Sequence, residues 1–169
     1  MALKRSIVFA VVAAGLLGSR CGGDGIARPP AEPLQMELTV SAPTGDPSHP
    51  VTVRTRVKNV GWTPIYYLRD CVQPGIMRLT DPEQRHVNRL CDGTCPNVAC
   101  PLCAPMSASL GPGEIYDEEF TFVGELRDCY GTFPGAAGVY RTDAVFMAFV
   151  DGGQRNLTKS VSFTWTTGP

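Results

Sequence analysis

Apolar and polar residues alternate along four segments of this chain, which predicts half-buried antiparallel β-strands. In each segment the apolar side chains share one face and would pack into a core, while the polar side chains would face water. The four apolar faces consist of Leu34, Met36, Leu38 and Val40, then Val51, Val53 and Val57, then Tyr116, Phe120 and Phe122, and finally Leu157, Val161, Phe163 and Trp165.

A fifth segment, 138–150, begins with polar residues and becomes apolar on both faces over 144–150. That pattern is expected of a central strand covered on both sides, or of a strand at an interface. Two weaker segments, 63–69 and 75–80, could form a hairpin around Cys71. Together these segments predict about seven short strands.

Glycine and proline make up 33 of the 169 residues and are spread between the apolar segments, which favours many turns over long helices. Seven antiparallel strands in one domain predict an all-β fold, an immunoglobulin-like antiparallel β-sandwich. Tyr140 lies at the start of the sixth strand, where such sandwiches carry a tyrosine whose hydroxyl bonds back to the preceding corner. Thr142 stands where an antibody-type domain has a cysteine, so that inter-sheet disulfide is not expected.

A basic triplet, Arg54, Arg56 and Lys58, occupies the polar face of the second strand. It could form an anion-binding stripe. In a sandwich, however, the first, second and fifth strands lie side by side, which would bring Glu37, Asp117 and Glu119 next to it. Opposite charges across strands stabilise a sheet by about 0.2–1 kcal/mol per pair, so we expect the triplet to be neutralised in place.

The first 21 residues have the layout of a secretory signal peptide, with Lys4 and Arg5 before a short apolar run and small residues near Cys21. The segment resembles the signal of bacterial lipoproteins, which implies a lipid on Cys21. Secretion with cleavage nearby stays open, because Arg20 replaces the small residue usual before the cysteine. The apolar run is shorter than the ~20 residues of a spanning helix, which disfavours an uncleaved anchor.

The predicted organisation is therefore a signal peptide over 1–20, a lipid-anchor cysteine and flexible tether over 21–33, and a single domain over 34–169. Removing the signal leaves 12 basic and 16 acidic side chains, a net charge of −4, which gives no reason to expect nucleic acid as a partner. We expect a lipoprotein of the bacterial cell envelope, with the outer membrane favoured over the inner one as its location. A secreted protein is the alternative.

Four cysteines, Cys91, Cys95, Cys100 and Cys103, fall within thirteen residues of a long loop expected from about 85 to 109. Four thiolates could bind zinc or copper, and His86 could add a nitrogen ligand. The spacing departs from the paired C-x2-C turns of zinc ribbons, and export exposes thiols to an oxidising environment. Disulfides are therefore the favoured interpretation, with a metal site as the alternative.

Setting Cys21 aside leaves six cysteines, which can pair completely in fifteen ways. In the expected sandwich, Cys71 and Cys129 lie in connections at the same end, so we expect them to pair. A disulfide closing a loop of that length would contribute roughly 4 kcal/mol in the chain-entropy model. The other four cysteines would then pair among themselves and hold the long loop.

Catalysis is not expected. His49 lies in a turn-forming context, and neither it nor His86 belongs to a nucleophile or metalloprotease motif. Four acidic residues lie along one predicted strand: Glu114, Asp117, Glu118 and Glu119. Successive side chains on a strand face opposite sides, so these carboxylates should not converge into a catalytic or calcium site. No cofactor is implied.

The stretch 110–114 and the strand opening at Gly138 and Tyr140 resemble the immunoglobulin-like domain of bacterial intracellular proteinase inhibitors. That resemblance supports the fold. We therefore expect a non-catalytic binding or structural module with a protein or glycan ligand in the envelope, and the cysteine loop as its surface. A metal-handling protein and a protease inhibitor are the alternatives.

Overall fold

The computed structural model describes residues 30–69, 75–87, 106–128 and 130–167. Within them the chain forms twelve β-strands and no helix, and so no helix that could cross a membrane. The strands are β1 (Leu34–Val40), β2 (Thr44–Gly45), β3 (Val51–Asn59), β4 (Ile65–Arg69), β5 (Met77–Thr80), β6 (His86–Val87), β7 (Met106–Leu110), β8 (Ile115–Phe122), β9 (Glu125–Asp128), β10 (Gly131–Pro134), β11 (Gly138–Val150) and β12 (Gly153–Trp165).

Two sheets face each other across a shared core, and the predicted all-β sandwich is confirmed. The smaller sheet has the order β1-β3-β8. The larger one has the order β2-β12-β11-β4-β7, with β5 added on β11 and β6 on β5. Strands β9 and β10 form a separate hairpin. Seven of the twelve strands correspond to the predicted ones, and the other five contain two to five residues each.

The expected hairpin between 63–69 and 75–80 is wrong. Both segments form strands, but β4 pairs with β11 at Phe149 and Ala148, and β5 pairs with β11 from Ala144 to Arg141. The two therefore follow one another along the same edge of β11, both antiparallel to it. Pairing of both segments with one long apolar strand replaces the hairpin that short sequence separation suggested.

The ends of the expected cysteine loop are also strands. His86 and Val87 form β6 and pair with β5. Met106 to Leu110 form β7 and pair with β4 over all five residues. The loop predicted over 85–109 is therefore shorter at both ends, and the part between 88 and 105 lies outside the described residues.

The core joins the inner faces of both sheets. Phe146 of β11 belongs to one cluster together with Leu34, Met36 and Val57 of the smaller sheet. A second cluster is aromatic: the ring of Phe122 lies 4.8 Å from that of Trp165, edge to face. The apolar faces predicted from alternation point into these clusters, and the alternating polar residues of β3, Arg54, Arg56 and Lys58, are exposed.

Tyr140 makes the predicted corner. Its hydroxyl donates a 2.9 Å hydrogen bond to the carbonyl of Ala136, while its ring is buried and stacks on Phe163 at 5.5 Å. A side chain on Gly135 would begin 2.8 Å from that hydroxyl, so the corner requires glycine there. Two residues on, the buried hydroxyl of Thr142 has no hydrogen-bond partner among the described residues.

Candidate functional site

Every predicted cysteine site lies outside the described residues. This holds for the lipidation site Cys21 and for the six expected disulfide residues, four of which form the alternative metal cluster: Cys71, Cys91, Cys95, Cys100, Cys103 and Cys129. Among the residues that are described, no three histidine, aspartate, glutamate or cysteine side chains gather as metal ligands would.

Two of the three basic residues on β3, Arg54 and Arg56, are neutralised in place, as predicted, whereas Lys58 has Gln35 and Ile115 as its register partners. Arg56 has Glu37 of β1 and Asp117 of β8 as its register partners. Arg54 donates from Nε to Asp117 at 2.8 Å and forms an ion pair with the same carboxylate. The guanidinium of Arg54 lowers the pKa of Asp117 and is assisted by Arg56. The two arginines are therefore paired with a carboxylate and do not form a cationic stripe.

The acidic residues of β8 do not converge, as the alternation predicts. Asp117 and Glu119 lie on the outer face with the arginines. Glu118 points inward and accepts hydrogen bonds from the Ile76 amide at 2.7 Å and the Tyr116 hydroxyl at 2.8 Å. Its role is to hold β8 against the start of β5.

The two histidines make local contacts. His49 closes the predicted turn, because Asp46 accepts hydrogen bonds from its backbone amide at 2.9 Å and approaches its Nδ1 at 3.1 Å. These contacts lower the pKa of Asp46. His86 lies in β6 with Nδ1 3.2 Å from the Thr80 hydroxyl. Neither contact builds a nucleophile.

The outer face of the larger sheet presents a different surface, composed of three adjacent rows of side chains. The first row pairs Phe149 with Tyr66 on β4 and with Gln154 on β12, and Tyr66 in turn with Ser109 on β7. The ten residues of these rows, hereafter the uncharged face, are Ser109, Tyr66, Phe149, Gln154, Ser107, Leu68, Met147, Asn156, Val145 and Thr158.

An apolar strip runs through the centre of the uncharged face. Tyr66 is 58% exposed and Phe149 is 38% exposed, and half-buried Leu68, Met147 and Val145 continue the strip. Exposed hydroxyl and amide side chains flank it on both sides, from β7 and from β12. Gln154 and Asn156 are joined by a 3.3 Å hydrogen bond between their side chains.

The uncharged face ends where the charges begin. One row beyond Val145, Asp143 on β11 has Arg78 of β5 as its register partner. Asp143 also accepts from Arg141 and from the Ser160 hydroxyl, so its carboxylate is compensated within the sheet. Among the described residues of the three rows, the Tyr66 phenol is the only ionisable group.

A groove of about 330 Å³ adjoins the face at its Phe149 end. Trp62, which is 53% exposed, lines it together with Phe149. Asp151 and Arg155 add polar groups to the lining, and Arg155 reaches Glu32 at 3.4 Å. The groove thus combines two aromatic rings with a few directional polar groups, as small-molecule sites do.

A tight turn fixes which residues of β12 reach the uncharged face. Asp151 and Gly152 form a two-residue loop, with φ values of 51° and 76°, the signature of a type I′ turn. The register then continues unbroken for thirteen pairs, from Val150 and Gly153 to Gly138 and Trp165. The Asp-Gly dipeptide was a usable sequence signal for this hairpin.

Sequence reasoning missed this site and favoured the cysteine loop. The apolar outer positions of β11 were recognised, but their neighbours depend on the pairing of β4 with β11. Trp62 lies in a connection without periodicity. The only local indication was the cluster of tryptophan and tyrosines over 62–67.

No protein-family model matches the chain, and no curated protein matches it. Among solved structures, a β-glucosidase from Erythrobacter marinus matches at 15% identity and a TM-score of 0.39, over 79% of this chain and 15% of that one. A putative ApaA protein from Bordetella pertussis matches at 15% identity and a TM-score of 0.43, over 80% of this chain and 98% of that one. A β-glucosidase from Listeria innocua matches at 12% identity and a TM-score of 0.36, over 78% of this chain and 16% of that one.

Proposed function

We propose that this chain is a non-catalytic binding module of the bacterial cell envelope, held at the membrane by a lipid on Cys21. The observation that carries the binding role is the uncharged face, where Tyr66 and Phe149 are exposed side by side on paired strands. Exposed aromatic side chains grouped on a soluble domain are a mark of interaction sites.

The scaffold suits such a role because its strands hold the contact groups in place. β11 is paired with β12 along its whole length and with β4 and β5 on the other edge. A backbone that is already rigid does not have to be ordered when a ligand binds. The paired strands therefore fix the points at which the side chains of Phe149 and Met147 leave the sheet.

The anchoring role is supported by the N-terminal sequence. Lys4, Arg5 and the apolar run precede Cys21, and β1 begins at Leu34. The segment over 22–33 could hold the domain away from a membrane by at most roughly 3.3–3.6 Å per residue. A binding face on the domain would then reach other components of the envelope.

Anchoring is tested by expressing the full chain in a bacterium and determining the mass of its mature N-terminus. A diacylglycerol adduct on Cys21 and recovery in the membrane fraction are expected, and Cys21→Ser should release the protein. A mature chain that starts elsewhere and carries no lipid would refute anchoring.

Binding is tested separately with the Cys21→Ser chain, so that the lipid makes no contribution. We expect it to sediment with delipidated envelope fragments, and Tyr66→Ala combined with Phe149→Ala to abolish sedimentation. Tyr130→Ala is the control, since Tyr130 is 91% exposed and lies in the β9–β10 hairpin. Equal sedimentation of all three proteins would refute the binding role of this face.

A further inference from the structure

We propose that the uncharged face binds a neutral glycan chain, lying across β4, β11 and β12. The inference rests on the proposed binding function and names the chemical class of its ligand. It is carried by the combination of an aromatic strip with rows of uncharged hydrogen-bonding side chains.

The aromatic strip matches the apolar side of a sugar ring. The faces of aromatic rings carry partial negative charge and their edges partial positive charge. The C–H groups on one side of a pyranose are weakly positive and can pack on such a face. Tyr66 and Phe149, exposed and adjacent in register, offer two rings for this contact, and Tyr66 adds a hydroxyl.

The flanking side chains match the hydroxyl groups of a sugar. Hydroxyl and amide side chains can both donate and accept hydrogen bonds, as can the hydroxyl groups of the ligand. On β12 this role falls to Gln154, Asn156 and Thr158, and on β7 to Ser107 and Ser109. A polyhydroxylated ligand could therefore satisfy its hydrogen bonds on both sides of the aromatic strip.

The charge pattern selects among ligand classes. Nucleic acids and anionic lipid surfaces are bound through lysine and arginine, and the three rows contain neither. A charged ligand would lose hydration here without gaining a counter-charge. In the row beyond Val145, the carboxylate of Asp143 already accepts a hydrogen bond from Arg141 within the sheet. A neutral ligand is thus the one that this surface complements.

The dimensions favour a chain over a single sugar. Across the first two rows, four strands about 4.8 Å apart give a width of ~14 Å, and the five residues from Phe149 to Val145 give a length of ~13 Å. The face is also continuous with the groove that Trp62 lines, because Phe149 belongs to both. Trp62 can contact a chain that extends past the first row.

The test measures retention of the Cys21→Ser chain, which carries no lipid, in native gels that contain hydroxyethyl cellulose, glycol chitin or soluble starch, with polygalacturonate as the charged comparison. We expect retardation by at least one neutral polysaccharide and none by polygalacturonate. Combining Tyr66→Ala with Phe149→Ala should weaken the apparent affinity about tenfold or more, as truncation of central aromatic contacts does.

The control variant is again Tyr130→Ala, which should migrate like the unmodified chain. Asn156→Asp places a charge in the second row without changing its shape, and should also reduce retardation by the neutral polysaccharide. Circular dichroism of each variant excludes loss of fold as the cause.

Two results would overturn the glycan assignment: no retardation by any of the three neutral polysaccharides, or stronger retardation by polygalacturonate. If the chain sediments with envelope fragments through Tyr66 and Phe149 but no neutral polysaccharide retards it, the binding function stands and its ligand is a different class of molecule, such as a protein. Retardation that persists in both the aromatic and the Asn156 variants would place glycan binding elsewhere.

Discussion

The hydroxyl of Tyr140 donates a hydrogen bond of 2.9 Å to the carbonyl oxygen of Ala136, four residues earlier in the chain. The bond ties the start of β11 to the connection that leads into it. The tyrosine ring is buried in the aromatic cluster that also holds Phe122 and Trp165, so this bond links the backbone of the corner to the centre of the core.

Replacing Tyr140 with phenylalanine removes only this bond. We expect the free energy of unfolding to fall by about 1 kcal/mol, the usual net value of one hydrogen bond, because the carbonyl of exposed Ala136 can turn to water. Urea denaturation measures the change. Tyr130→Phe is the matched control and should have no effect; an equal loss in both variants would contradict the role of the corner.

The same burial makes the fold sensitive to alkali. Desolvation raises the pKa of Tyr140 from its ordinary value of 10.0 to about 12. Its contribution to stability is therefore complete below pH 10 and is lost as the pH rises towards 12, because the unfolded chain ionises first. Stability measured from pH 9 to 12 should fall less steeply in Tyr140→Phe, and an unchanged slope would contradict this account.

Two buried threonines give a matched test of hydrogen bonding in the core. The hydroxyl of Thr55 donates to the carbonyl of Glu37 at 3.1 Å, whereas that of Thr142 has no partner among the described residues. Thr55→Val should destabilise the fold by about 1 kcal/mol, and Thr142→Val should stabilise it by about the same amount. Thermal denaturation of both variants measures the difference, and a loss of stability in Thr142→Val would show that its hydroxyl is bonded.

Alanine substitutions at two glycines with positive φ allow the cost of backbone strain to be measured separately from the cost of steric conflict. Gly113 has a φ of +80° and open space around it, while a side chain on Gly124, at +85°, would begin 2.6 Å from the ring of buried Trp165. Gly113→Ala should cost about 1–2 kcal/mol from the left-handed backbone. Gly124→Ala should cost roughly 1–3 kcal/mol more, as overpacking does. Equal costs in chemical denaturation would mean that the Trp165 ring moves aside.

The charge pair on the smaller sheet predicts a shifted titration. Arg54 lowers the pKa of Asp117 more than Arg56 does. Arg54→Met should therefore raise that pKa towards its ordinary 3.8, and Arg56→Met should raise it less. Lys58→Met is the control, since Lys58 has Gln35 and Ile115 as its register partners. NMR titration of the carboxyl carbons measures each value.

The sign of the effect on stability follows from the lowered pKa. Asp117 contributes stability above the pKa of the unfolded chain and loses it as the pH falls through the folded value. Arg54→Met should therefore flatten the acid dependence below about pH 4, where carboxylates titrate. A pKa of Asp117 that is the same in Arg54→Met and in the unmodified chain would contradict the pairing.

Alternation along β1, β3 and β8 was sufficient to predict both their inward faces and the charge pairing across them, because neighbouring strands with complementary outer faces support one register. The position of β4 could not be predicted in this way. Its hairpin with β5 was the shortest-range choice, but both segments pair instead with the same edge of β11, whose inner face is buried.

The candidate site could not be predicted from the sequence for the same reason. Tyr66 and Phe149 are separated by more than eighty residues in the chain, and they become neighbours only through the β4–β11 pairing. Periodicity shows that a side chain faces outward, but it does not show which strand lies next to it. The aromatic strip therefore follows from strand order, which depends on the whole fold.

The unbroken ladder between β11 and β12 also bears on the order of folding. It is closed by two residues, so it can form within microseconds as a local hairpin, whereas β4 and β5 must close much longer loops to reach it. β11 is the strand on which β12, β4 and β5 all assemble. The larger sheet therefore cannot be completed before β11, Gly138–Val150, has been synthesised.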